Sequence, residues 1–89
     1  MRIFRKDPRE TLDFTLGWIN HLTTDDRIVS VRHSVPSGLH LISENNTDDK
    51  ATCWTSEGVL GATYEIGCQV STKYGRILYR SYLVEMVVK

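Results

Sequence analysis

The stretch GATYEIGCQVSTKYGRILYRSYLVEMVV, residues 61–88, predicts two long β-strands joined by a tight turn. Apolar side chains occupy every second position of its first half, at Tyr64, Ile66, Cys68 and Val70. This period of two is typical of a strand with one buried face. Gly75 lies in the short connection between the halves, where a hairpin loop needs a positive φ. Because a hairpin alone is only marginally stable in water, the rest of the chain must supply something for it to pack against.

The second half of the hairpin does not alternate cleanly. Residues 77–88 are rich in β-branched and aromatic side chains, as strands are, but apolar residues occupy both parities. Such a strand is either covered on both faces or contains a bulge that switches its register, which we expect near Arg80.

Four shorter strands are predicted before the hairpin, at residues 11–16, 27–35, 39–43 and 50–56. Turn residues separate them, including Pro36-Ser37-Gly38 and the polar stretch 44–49. In the second of these strands, Val29, Val31, His33 and Val35 share a parity and are expected to share a face. A short helical turn is predicted at residues 18–22, after the first strand.

Six or seven short strands spaced about 10 residues apart are typical of a β-sandwich or a small barrel. We predict an all-β fold, an immunoglobulin-like antiparallel β-sandwich of about seven strands. Tyr64 fits a tyrosine corner, in which the hydroxyl bonds backward to the chain before the sixth strand. Residues 1–10 predict an extended, partly flexible N-terminal arm or a loose edge strand, and residues 11–89 a single domain.

The composition is that of one ordinary globular domain, with 89 residues, 40% hydrophobic and 25% charged. Lys plus Arg and Asp plus Glu both number 11, and this zero net charge argues against a dedicated nucleic-acid binder. No apolar run approaches the roughly 20 residues that span a bilayer, and no signal-peptide pattern begins the chain. We therefore expect a soluble protein made in the cytoplasm, with protein partners rather than nucleic acid or membrane.

No residue pattern predicts catalysis, a metal site or a cofactor. The three histidines, His21, His33 and His40, lack the carboxylate or cysteine spacing of a metal or acid/base site. His33 is expected at the edge of the core with one hydrogen-bond partner. Cys53 and Cys68 are interpreted as small buried hydrophobic residues, although a disulfide remains open if their Cα atoms approach within about 7 Å. The prediction is that the protein is not an enzyme.

Aromatic side chains on predicted outer faces are the candidate interface residues. Trp54 lies on the parity opposite Cys53, so it either anchors a partner or packs under a loop or the N-terminal arm. Tyr74 at the hairpin tip and Tyr79 on the predicted outer face extend this possibility. Arg5 and Lys6 in the basic arm complete the set of candidate contact residues.

The order of the short segments resembles a family of small proteins of tailed bacteriophages and prophages. The segments are Lys6-Asp7-Pro8, Leu12-Asp13-Phe14, Leu16-Gly17-Trp18, Val35-Pro36-Ser37-Gly38-Leu39, Ala51-Thr52-Cys53-Trp54, Gly61-Ala62-Thr63-Tyr64 and Gly75-Arg76. Members are described as fiber-tail adaptor or virion structural proteins with an immunoglobulin-like sandwich. The chain departs from the family pattern at Gly17, where an acidic residue is usual, and at His33, where tryptophan is frequent.

This resemblance implies a non-enzymatic virion structural protein, assembled in the host bacterial cytoplasm. Its implied partners are other virion and tail proteins, with copies of the chain itself in the assembled particle as a further possibility. The alternative is an immunoglobulin-like binding module that recognises a host-surface glycan or protein through Trp54, Tyr74 and Tyr79.

Overall fold

Seven strands form the protein in a computed structural model that describes residues 2–89. They are β1 (Ile3–Lys6), β2 (Leu12–Gly17), β3 (Ile28–Ser34), β4 (Leu39–Asn46), β5 (Lys50–Glu57), β6 (Thr63–Thr72) and β7 (Ile77–Met86). A 3-10 helix at Ile19–His21 lies between β2 and β3, where the helical turn is predicted. No helix in the described part of the chain is long and apolar enough to cross a membrane.

The strands form two sheets, a four-stranded one in the order β1-β7-β6-β3 and a three-stranded one in the order β2-β5-β4. All neighbours are antiparallel except β1, which runs parallel to β7. The predicted all-β, immunoglobulin-like sandwich is confirmed. Within the predicted arm, residues 3–6 form the edge strand β1. Met1 lies outside the described residues, and the partial flexibility of residues 1–10 stays a prediction.

The core lies between the sheets and follows the predicted alternation of β6. Ile66, Cys68 and Val70 are fully buried, and Trp18 at the end of β2 is buried against them. Cys53 on β5 faces the same interior, and both cysteines are free thiols. The interpretation of the two cysteines as buried hydrophobic residues therefore agrees with the structure.

Tyr64 forms the predicted tyrosine corner. Its hydroxyl oxygen accepts a hydrogen bond from the Val59 N–H at 3.0 Å, across the connection between β5 and β6. The ring lies close against Gly38, whose φ of +103° favours glycine. The corner thus joins the turn before β4 to the start of β6.

Of the two alternatives for the last strand, the bulge near Arg80 does not occur. The register between β6 and β7 runs without a shift from Thr63 opposite Glu85 to Ser71 opposite Ile77. Register shifts occur instead in β3, between Ile28 and Ser30, and in β4.

Because a bulge adds one residue, the bulge in β3 reverses the parity of the residues before it. Ile28 therefore points into the core, whereas Val29 is 51% exposed. The alternation had predicted that Val29 shares a face with Val31, His33 and Val35, and this prediction is wrong for Val29.

Candidate interaction surfaces

Tyr79 lies flat on the outer face of the four-stranded sheet and is 61% exposed. Its ring crosses Gly67 on the neighbouring strand β6. A Cβ atom at Gly67 would overlap the Tyr79 hydroxyl and lie 3.0 Å from both Cε2 and Cζ of the ring. The missing side chain of Gly67 is therefore what lets the ring rest on the backbone, with its other face turned to solvent.

Polar side chains flank this ring on the same face. Gln69 is opposite Tyr79 in the register of β6 and β7, and Arg32 on β3 is opposite Gln69. Within residues 2–89, neither of these two side chains makes a hydrogen bond or an ion pair. A shallow groove of about 210 Å³ lies beside them, lined by Ser30, Val31, Arg32, Gln69 and Ser71. The face thus combines a fixed aromatic ring with polar groups that have no partner in the described chain.

Trp54 lies on the opposite side of the molecule, on the outer face of the three-stranded sheet. It is 39% exposed and is flanked by Asp13 on β2 and Ser43 on β4. The N-terminal strand does not cover it, because β1 belongs to the other sheet. Trp54 and Tyr79 therefore cannot contact the same small ligand.

Tyr74 is exposed at the tip of the hairpin, away from both sheet faces. Its backbone N–H donates to Asp26 Oδ1 at 3.2 Å, and Arg76 Nη1 donates to Thr23 Oγ1 at 2.7 Å. Burial would raise the pKa of Asp26, but hydrogen bonds from Thr72 and from backbone N–H groups outweigh it and lower the pKa. The tip is thus held to the loop before β3.

The structure does not bring Trp54, Tyr74 and Tyr79 together into one site. They lie on two opposite sheet faces and on a loop tip. The three side chains are separated because β5 and β7 belong to different sheets. Parity along one strand shows only that a residue faces outward, and it does not show which sheet the strand joins.

Lys6 is not a surface residue, contrary to its inclusion among the candidate contacts. Its parity in β1 points it inward with Phe4, and its side chain is buried. The Nζ atom donates to the carbonyl oxygens of Glu57, at 2.6 Å, and Asp7, at 3.2 Å. Burial lowers the pKa of this amine. Arg5 has the opposite parity, and its exposed guanidinium lies 4.0 Å from the Glu85 carboxylate.

A protein-family model described as "Podophage GP4 fiber-tail adaptor protein gp77" matches residues 6–85. The chain belongs to this family. Membership implies a phage fiber-tail adaptor structural protein, a virion component that binds other tail or fibre proteins. A search of curated protein sequences found no match.

Among solved structures, the chain is similar to the solution structure of the PKD domain from KIAA 1837 protein. The TM-score is 0.53 and the sequence identity is 18%, over 99% of this chain and 82% of that chain. At this identity the likeness shows the fold alone.

In this member of the adaptor family, the Lys6-Asp7-Pro8 segment has a structural role that the sequence analysis missed. The Asp7 carboxylate accepts hydrogen bonds from the Arg9 N–H, Nε and Nη2 groups and from the Lys89 N–H. The hydrogen bond from the Arg9 side chain is the main reason that the pKa of Asp7 lies well below its usual range. The segment thereby fixes the turn from β1, in one sheet, to β2, in the other.

A second contact missed from the sequence joins His33 on β3 to Glu44 on β4. Glu44 Oε1 accepts hydrogen bonds from the His33 backbone N–H at 2.7 Å and from Nδ1 at 2.8 Å. The predicted position of His33 at the core edge agrees with the structure, and its one partner is this carboxylate. Within residues 2–89, no three His, Cys, Asp or Glu residues are grouped closely enough to hold a metal ion. Because β3 and β4 belong to different sheets, the two hydrogen bonds between His33 and Glu44 link the sheets.

Proposed function

We propose that this protein joins tail and fibre components through protein–protein contacts and catalyses no reaction. Its main contact surface is the outer face of the four-stranded sheet, centred on Tyr79. The observation that carries this proposal is the Tyr79 ring resting on Gly67 while 61% of the residue stays exposed. Family membership supports the adaptor role.

A fixed aromatic side chain is suited to a binding anchor. Tyrosine is enriched among the few residues that dominate the binding energy of interfaces. A ring already held against the sheet loses little conformational freedom when a partner covers it. The unpaired side chains of Arg32 and Gln69 supply hydrogen-bond donors and an acceptor beside it.

Exposed apolar side chains lie on either side of Tyr79 along this face, although Ser81 separates Tyr79 from the row of Leu83 and Ile3. Ile77, two residues earlier on β7, is 67% exposed, and Ile3 on β1 is exposed on the same outer face. The exposed Arg5 lies beyond Ile3. These residues are spread along β7 and onto β1, and an exposed surface of this length matches a protein partner better than a small molecule.

The proposal includes contacts between copies of the chain in the assembled particle and incorporation in the host bacterial cytoplasm. It assigns no role to nucleic acid or to a membrane. The zero net charge of the sequence supports this, since phosphate binding requires a surplus of basic residues.

The test compares Tyr79→Ala with Trp54→Ala, which removes an aromatic residue from the opposite face. Binding is measured by biolayer interferometry against purified tail and fibre proteins encoded beside this gene. Tyr79→Ala is expected to weaken binding at least about 30-fold, the loss that a 2 kcal/mol hot spot produces. Trp54→Ala is expected to stay within about threefold of the unmodified protein.

Two results would contradict the proposal. A large loss in Trp54→Ala with none in Tyr79→Ala would place the interface on the three-stranded sheet. If the unmodified protein bound no tail or fibre protein but bound a soluble glycan in a Tyr79-dependent way, the glycan-binding alternative would replace the adaptor role.

A further inference from the structure

We propose that the free edge of β2 accepts an extended segment of a partner protein, which adds a fourth strand to the three-stranded sheet. This goes beyond the adaptor proposal, because it specifies a second surface and a mode of recognition. It depends only on the arrangement of β2 and its neighbours.

The backbone of β2 presents unpaired groups along this edge. Trp18 N–H donates to the Asp49 carbonyl at 2.7 Å, which continues the register of β2 with β5. In an antiparallel pair, hydrogen-bonded residues alternate with residues whose groups point away. Leu12, Phe14 and Leu16 therefore bond to β5, while the N–H and C=O groups of Asp13 and Thr15 point to the open side.

A contact of Arg80 confirms that backbone groups of this parity in β2 point away from β5. The Nη1 atom of Arg80, reaching across from β7, donates to the Gly17 carbonyl at 2.7 Å. Gly17 has the same parity as Asp13 and Thr15, so the open side of β2 is the side away from β5. This contact covers only the last residue of the strand.

The other three edges of the sandwich are obstructed. A bulge between Leu41 and Ser43 interrupts β4. On β3, a bulge follows Ile28, and the Glu44 carboxylate occupies the His33 N–H. β1 is only four residues long. In contrast, β2 has six residues in unbroken register and no proline. Native proteins protect sheet edges with such devices, so the regular edge of β2 is the one suited to pairing.

An apolar surface lies beside this edge. On one side of the sandwich, the edge strands β3 and β4 of the two sheets pack against each other. On the other side, the edge strands are β1 in the four-stranded sheet and β2 in the three-stranded sheet. Phe4 on the inner face of β1 is half-buried, with its ring centroid 4.9 Å from that of Phe14. The Arg2 guanidinium lies 4.7 Å from the Phe4 centroid. A strand added to β2 would lie near Phe4 and the partly buried Leu12.

The chemistry of the edge defines the partner. N–H and C=O groups that repeat every two residues match another extended backbone, as in β-strand addition. The partner is therefore a peptide segment of about five residues, with apolar side chains at alternate positions facing Phe4 and Leu12. A basic side chain opposite the exposed Asp13 would complement its charge.

The test selects binders from an mRNA-displayed library of random nonapeptides against the full chain. The enriched peptide is synthesised and titrated into the 15N-labelled protein. Amide exchange at Asp13 and Thr15 should slow about 11-fold at a free peptide concentration ten times Kd, because only the unbound fraction exchanges. Enriched sequences should show alternating apolar residues.

Two variants separate backbone pairing from side-chain contact. Asp13→Pro removes an N–H that points away from β5, so the sheet is kept and the edge is blocked. Asp13→Ala keeps the N–H and removes only the carboxylate. Peptide binding should weaken at least tenfold in Asp13→Pro and less than fivefold in Asp13→Ala, with the rest of the amide spectrum unchanged in both.

The proposal is overturned if no peptide is enriched, if the perturbed amides lie outside β2, or if the two variants bind equally well. Since the library contains no tail protein, these outcomes are independent of whether the adaptor role is correct.

Discussion

Replacing Gly38 with alanine should destabilise the protein by about 2–4 kcal/mol through the tyrosine corner. The φ of +103° lies in a region that side-chain-bearing residues rarely adopt, and such strain amounts to about 1–3 kcal/mol. The new Cβ would also lie 2.6 Å from the Tyr64 hydroxyl oxygen, so the hydroxyl must move. Its hydrogen bond with the Val59 N–H, about 1 kcal/mol, would then be lost. The total is a large part of the roughly 4–13 kcal/mol expected for 89 residues.

The measurement is a double-mutant cycle by urea denaturation, with Gly38→Ala, Tyr64→Phe and both together. Tyr64→Phe removes the atom nearest the new methyl group and leaves ring atoms at 3.0 and 3.1 Å. The loss in the double variant should therefore be about 1 kcal/mol less than the sum of the single losses. Gly75→Ala is the matched control, because its φ is +85° but no atom lies within 4 Å of the added Cβ. Additive losses, or a Gly38→Ala loss no larger than that of Gly75→Ala, would refute the close contact with Tyr64.

Three further predictions follow from the same structure. Gly67→Ala should lift the Tyr79 ring off the sheet, seen as lost nuclear Overhauser effects between them, while stability changes by less than about 1 kcal/mol because the ring is free to move outward. Because the pKa of Asp7 is depressed in the folded state, its carboxylate stabilises the protein above the ordinary pKa of 3.8, and this stabilisation is lost as the pH falls below that value. Denaturation curves from pH 2 to 7 should therefore show that the free energy of unfolding declines less steeply towards acid pH in Asp7→Asn than in Asp13→Asn. Burial raises the pKa of Cys68 from 9.0 to about 11, so its thiolate fraction at pH 8 falls about 100-fold, and labelling by a thiol reagent should be at least that much slower in native protein than in guanidinium.

The strands and the long hairpin could be predicted from the sequence because their signals are local. Alternation places Ile66, Cys68 and Val70 on one face, and Tyr64 lies at the start of the same strand, where a tyrosine corner occurs. The error at Val29 arose because one extra residue in β3 changes the parity of the strand. The bulge in β3 reverses Val29, and residues 28–30 contain no glycine or proline that would have indicated it.

The contacts that hold the two sheets together were not predictable in this way. Glu44 and His33 are 11 residues apart, and Lys6 bonds to a carbonyl 51 residues away. Such pairs form only because the sheets bring distant edges together, and a charged residue in a short N-terminal strand gives no local sign that it will be buried.

The sequence by itself therefore determined an all-β sandwich, its strand order along the chain and the inward face of the hairpin, since side-chain direction alternates with every residue of a strand. Only the tertiary structure decided how the outer surfaces are arranged. Strand pairing puts Tyr79 and Trp54 on opposite faces, lays the Tyr79 ring on Gly67, and leaves β2 as an edge because β1 pairs with β7. These features depend on which strands become neighbours, and that choice is made by the packing of the whole core.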